Sequence, residues 1–220
     1  MITAADVVGY DGRLLTLRPD DDILRELIAK NVTRVEISLD DGRLISSDQR
    51  KKIFAIIGDI AKWSGHDPEY LRQMLTWDFR SAQDLPAFSL SQRDPSAADV
   101  TTARGFIDYL VDFCLFHDVP TSKPMAEYAD DVDLYLYRCL EHRRCAVCGR
   151  RAEVHHVSRI GMGRDREDIV HTGLLAVALC REHHNAAHRG EQDFFKVNHI
   201  RGIRLDEFLC QRLKLKGEKK

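Results

Sequence analysis

Two short half-motifs in the last third of the chain constrain its fold more than any other feature. Cys145-Ala146-Val147-Cys148-Gly149 puts two thiols on a tight turn, where the glycine lets the backbone fold beneath an ion. Cys180-Arg181-Glu182-His183 is the second half. Three sulfurs and one imidazole nitrogen make a closed tetrahedral set suited to structural Zn2+, so Cys145, Cys148, Cys180 and His183 are expected to converge. Reduced core thiols are the alternative for any cysteine pair. Cys114, Cys139 and Cys210 fit that alternative better, because they sit in apolar helical patterns.

The enclosed segment is rich in imidazole. Eight of the ten histidines lie between His142 and His199. Ala152–Val157 alternates in polarity and predicts a short strand ending at His155-His156, one ring to each face. His184 and His188 stand i, i+4 within Arg181–Arg189, on one face of a helix that Gly190 ends. Neutral imidazoles are good ligands for divalent metals. Solvent-exposed histidines are the plain alternative, but four that converge beside a zinc scaffold are hard to explain as packing.

Charge divides the chain in the same place. Residues 1–140 carry 16 Lys/Arg against 24 Asp/Glu, and residues 141–220 carry 17 against 11. Two domains with different tasks are expected. The start, MITAADVVGYDGR, has no basic leader region, and no apolar run nears the roughly 18 residues of a membrane span, so the cytosol is the expected compartment.

The first part reads as mixed α and β. Asp6–Tyr10 and Arg13–Leu17 flank the hairpin turn Asp11-Gly12, Asp20–Lys30 is helical, and Val32–Leu39 alternates as a half-buried strand turned at Asp41-Gly42. Ser47 is expected to cap a helix to about Trp63, with Ile53, Phe54, Ile56, Ile57 and Ile60 inward. Asp67–Arg80 and Ala98–Phe116 are further helices, with Leu85–Ser96 irregular between them. Val119–Pro124 marks a boundary, and a linker helix runs from Met125 to His142. Trp63, Tyr70 and Trp77 are expected in the core, and Asp130, Asp131 and Asp133 on a solvated face.

Ser46-Ser47-Asp48-Gln49-Arg50-Lys51-Lys52-Ile53-Phe54, continuing to Gly58-Asp59-Ile60, resembles the signature helix of the phage NinB (lambda Orf) recombination proteins. The likeness covers roughly residues 10–122. It implies a recombination mediator that works with single-stranded DNA and single-strand-binding protein and forms dimers.

His155-His156-Val157, Gly161–Arg166 and Leu179–His188 resemble the HNH endonucleases, the ββα-metal nucleases, and more narrowly those encoded by phages. The likeness covers roughly residues 139–205. The fold class it implies is α+β: a NinB-like mixed α/β module over 1–122, a linker helix over 123–141, and a zinc-stapled ββα-metal domain over 142–220. Carried across by position, His156 is the general base, and His155, His184 and His188 hold one catalytic ion. Mg2+, Mn2+, Ni2+ and Zn2+ all suit that set. The family's central asparagine, which tethers the loop that orients the base, is missing from Leu174–Ala178. His171 is the candidate substitute.

The implied activity is metal-dependent hydrolysis of DNA phosphodiesters, leaving 5′-phosphate and 3′-hydroxyl ends, during phage or prophage recombination in a bacterial host. Single-stranded or branched DNA is the expected substrate. Arg164, Arg166, Arg150 and Arg151 are candidates for the DNA backbone, with Arg143 and Arg144 alongside and Lys214–Lys220 as a basic end. The alternative is a non-catalytic mediator that uses the HNH fold as a zinc-stabilised docking module.

Overall fold

The computed structural model describes residues 5–19, 21–32, 42–157 and 170–217. Among them lie five strands and eight α-helices, the mixed α+β class expected. β1 (Ala5–Tyr10) and β2 (Leu15–Pro19) pair antiparallel. Asp11 turns the hairpin, its carboxylate accepting from the amides of Arg13 and Leu14. α1 (Asp21–Ala29) follows. Beyond Val32, the strand expected over Val32–Leu39 falls outside the described residues, as do Arg164 and Arg166 and the end of the basic tail.

Three helices build the next layer: α2 (Ser47–Ser64), α3 (Pro68–Gln83) and α4 (Val100–His117). The N-cap of α2 is Ser46, one residue before the expected Ser47. Ser46 Oγ accepts from the Gln49 amide at 3.0 Å, and the Gln49 side chain accepts from the Ser46 amide at 3.1 Å. Only Ser46 has a glutamine three residues on to close this box, whereas Ser47 is followed at that spacing by Arg50, which has no acceptor. Ile53, Ile56, Ile57 and Ile60 are buried as expected. Phe54 is 40% exposed instead, and the Arg50 guanidinium covers it 4.9 Å from the ring centroid.

The three aromatics expected in the core are not there. Trp63, Tyr70 and Trp77 are exposed. The inward stripe of α3 is Leu71, Leu75 and Phe79, so Tyr70 and Trp77 fall beside it.

The helix expected from Met125 to His142 is broken. A single 3-10 turn, Met125–Glu127, precedes α5 (Val132–Glu141). Lys52 and Gln49 reach the Asp130 carboxylate at 2.5 and 3.3 Å, and Asp131 caps α5 by accepting from the Leu134 amide at 3.0 Å. Asp133 pairs with Arg201 at 2.7 Å. Asp131 and Asp133 are exposed, as a solvated face requires, whereas Asp130 is partly buried. Within the expected linker, α5 is a core element: Tyr135, Leu136, Cys139 and Leu140 are buried, and it packs on α4 and on the second sheet.

That sheet has the order β3 (Glu153–His156), β4 (Leu175–Leu179), β5 (Ile203–Arg204), antiparallel throughout. β4 is central and almost wholly buried. A Cβ on Gly202 would meet Val157 Cγ2 at 2.6 Å, so bare backbone is what lets β5 close on the sheet. α6 (Arg181–Arg189), α7 (Glu191–Asn198) and α8 (Glu207–Leu213) complete the chain. One continuous buried cluster runs from Ile45 to Leu213 and, among the described residues, takes nothing from β1, β2 or α1. No described helix is long and apolar enough to cross a membrane.

Candidate active site

The half-motifs fold into one knot. Cys145, Cys148, Cys180 and His183 bring their ligand atoms within 4.8 Å of one another. His183 Nδ1 lies 3.3 Å from the sulfurs of both Cys145 and Cys180, and the Cys148 and Cys180 sulfurs are 3.8 Å apart. Gly149, at φ +71°, turns the first half so that its amide donates to the Cys145 carbonyl at 2.8 Å. The buried Tyr135 hydroxyl supports the loop from beneath by donating to the Ala146 carbonyl at 2.9 Å. Three thiols and an imidazole at this spacing are consistent with structural zinc.

Arg150 faces this knot. Its Nε donates to Cys148 Sγ at 3.3 Å, and its guanidinium also reaches Glu182. Three thiolates around a divalent ion carry a net negative charge, which a guanidinium offsets. Arg143 and Arg144 are likewise engaged, donating to the carbonyls of Leu213 and Leu115. Arg151 is exposed. Cys114, Cys139 and Cys210 are buried free thiols, and burial pushes Cys114 up to about 12.

The histidines form a second cluster beside the knot. β3 delivers His155, and α6 delivers His184 and His188 one turn apart, with ring centroids 4.8 Å apart. The ligand atoms of these three also lie within 4.8 Å of one another. α6 begins directly after Cys180 and carries His183, so two members of the knot sit at the start of the helix that carries two of the three imidazoles. His155 is 1% exposed, and its Nδ1 is buried with no hydrogen-bond partner. Buried polar nitrogens are ordinarily satisfied, so an orphan beside two imidazoles fits a divalent ion.

His156 points to the other face of β3. Its Nε2 is hydrogen-bonded to His171 Nδ1 at 2.9 Å, in the loop before β4. That loop is anchored where the His171 amide donates to the Lys216 carbonyl at 2.8 Å. Burial, and after it the neighbouring His171, His155 and His184, holds His156 below the ordinary imidazole value; burial does the same to His171. Both rings are therefore neutral near pH 7.

Two acidic residues that no motif marked also reach the histidines. Glu153 Oε2 is 3.4 Å from His184 Nδ1, and Glu191 Oε2 is 2.9 Å from His155 Nε2. The i, i+2 spacing of Glu153 and His155 on one strand was a legible signal for the first. Glu191 had none, because its partner lies 36 residues away.

Two antiparallel strands and a helix bring together a three-histidine cluster that could hold a metal ion, with a fourth histidine across the strand, in a ββα arrangement. The chain belongs to the corresponding family: residues 19–216 match the one described as "Putative HNHc nuclease". That match spans the helical part as well as the ββα part. No curated protein and no solved structure matches the chain.

Proposed function

We propose that this protein is a metal-dependent endonuclease that hydrolyses phosphodiester bonds in DNA. The convergence of His155, His184 and His188, with the neutral His156 beside them, carries the reading. His155, His184 and His188 would hold the ion, which when bound neutralises the phosphoryl oxygens and stabilises the leaving 3′ oxygen. Mg2+, Mn2+, Ni2+ or Zn2+ would serve. Cys145, Cys148, Cys180 and His183 would hold structural zinc.

His156 accepts the proton of the attacking water. With Nε2 engaged by His171, Nδ1 is the nitrogen left for that task. His171 thus fills the role of the absent asparagine by fixing the plane of the base. Arg151, Arg164 and Arg166 are our candidates for the DNA backbone, whereas Arg150 acts chiefly on the thiolates.

The NinB-like stretch extends the proposal. Residues 1–122 would bring the nuclease to single-stranded DNA or to the protein that coats it, as a dimer, in phage or prophage recombination. The exposed rings of Trp63, Tyr70 and Trp77 support this, since exposed aromatics are available to stack on bases.

The test is nicking of supercoiled, linear, single-stranded and branched DNA by metal-stripped protein with Mg2+, Mn2+ or Ni2+ restored, beside His156→Ala. Metal-dependent cleavage that falls by about a hundredfold or more in the variant, with DNA binding kept, is the expected result. Binding without cleavage under every metal would leave a mediator that carries a nuclease fold.

A further inference from the structure

Glu191 is the first residue of α7 and stands three residues after His188, across Gly190. The turn that ends the helix bearing two ligands therefore brings a carboxylate back to the third. Glu191 Oε2 lies 2.9 Å from Nε2 of His155, whose side chain is 2% exposed. α7 is seated there by Phe194 and Phe195, which pack against the core, and the Phe195 ring lies 6.1 Å from that of His155.

A neutral imidazole has one N–H and one lone pair, and an ionised carboxylate only accepts. Glu191 therefore selects the tautomer in which His155 Nε2–H donates to it. The lone pair is left on Nδ1, the buried nitrogen without a partner. The rings of His184 and His188 stand edge-on to His155, with centroids 4.8 and 5.0 Å away. Glu191 is not among the groups whose ligand atoms share the 4.8 Å span.

We propose that Glu191 is a positioning residue: it fixes the tautomer and orientation of His155 and so presets Nδ1 as a ligand for the divalent ion. This rests on the reading of His155, His184 and His188 as a metal centre, and it adds the group that sets that centre's affinity. Carboxylates in this relation to a ligating imidazole typically change metal affinity 10- to 100-fold.

The experiment uses the full chain, with zinc kept in the cysteine set and the weaker centre stripped by a mild chelator. Ni2+ is titrated calorimetrically into wild type, E191A, E191Q and H184A. In parallel, long-range 1H–15N spectra without Ni2+ report the tautomer of His155. The expected result is Nε2–H in wild type, loss of that preference in E191A, and Ni2+ affinity about 10- to 100-fold lower in E191A. E191Q keeps a side-chain carbonyl that accepts from Nε2–H, so it retains the tautomer and most of the affinity.

A wild-type His155 protonated on Nδ1, or a tautomer that does not respond to E191A, overturns the proposal whatever the affinities do. Equal weakening in E191A and E191Q with the tautomer unchanged would make Glu191 a direct ligand, and overturns it too. If wild type and H184A bind Ni2+ alike, the metal centre itself is wrong and the proposal falls with it. If H184A loses Ni2+ while E191A matches wild type, the centre stands and only the role of Glu191 is lost.

Discussion

A histidine acts as a base only if one nitrogen is free, neutral and held in plane, and burial and His171 together meet these conditions for His156. Burial keeps the ring neutral, and His171 takes Nε2 at 2.9 Å. The His171 loop is tied down by main chain, its amide donating to Lys216 and its carbonyl accepting from Leu174. His171 touches no expected ligand atom, so its removal should spare metal uptake. His171→Ala is expected to lower kcat for DNA cleavage about 10- to 100-fold with KM nearly unchanged, because the base loses orientation and not the substrate its contacts. His171→Asn keeps a side-chain acceptor and should lose less. Steady-state kinetics on a supercoiled-circle substrate, beside a Ni2+ titration, check both; a rise in KM alone would move His171 to substrate binding.

The helices are read most easily where their signals are local. Asp67, Asp99 and Asp131 each cap a helix by accepting amides two or three residues ahead, and such contacts are written within a single turn of sequence. The His184–His188 face is legible for the same reason, since helical period alone aligns it. Which face packs is a different matter. Periodicity groups Tyr70 with Trp77 but does not say that Leu71, Leu75 and Phe79 win the interior. β4 carries no strand signal in sequence, because a strand buried on both faces shows no alternation: Leu175–Leu179 is apolar throughout. Glu191 and Asp130 are defined by partners 36 and 78 residues away, which no local pattern carries.

The meeting of α4 and α5 holds a cost that follows from the same long-range packing. Asp108 on α4 is pushed up to about 6, first by burial and then by Asp131 and Asp130, against weaker help from Arg104 and Arg138. A carboxyl with a raised folded value binds its proton more tightly when folded. Its favourable contribution is complete below about 4, and is lost as pH rises through about 6. Asp108→Asn should therefore be more stable than wild type at pH 7.5 by about 1 kcal/mol, a figure discounted for solvent screening of a partly exposed group. The difference should shrink as pH falls below 6. Urea midpoints at pH 7.5 and 5 measure it, and an advantage that grows toward acid would contradict the sign.

At the scale of the whole molecule, the cysteine–histidine knot and the helical part share one interior. The buried cluster runs from Ile45 in the helical part to Leu213 in α8, and α5 is its hinge, packed on α4 to one side and on β4 and α8 to the other. Tyr135 on α5 donates to Ala146 inside the knuckle, and Arg144 beside Cys145 donates to Leu115 on α4 and pairs with Asp118 at 2.6 Å. The knuckle is thus bonded to α4, the helix on which α2 packs. Structural zinc in small domains contributes folding free energy directly, and what depends on it loosens when the ion goes. Strong chelation should consequently deprotect more than the loop around Cys145 and Cys180. Amide hydrogen exchange is expected to quicken in α5 and the inner face of α4 as well as in β3, β4 and α6, while the exposed hairpin β1–β2 is unaffected. Substituting Cys148→Ser should reproduce the pattern without chelator. Faster exchange confined to residues 142–217, with α4 and α5 unchanged, would mean that the shared interior does not couple the two parts, and that the part carrying the histidines melts alone.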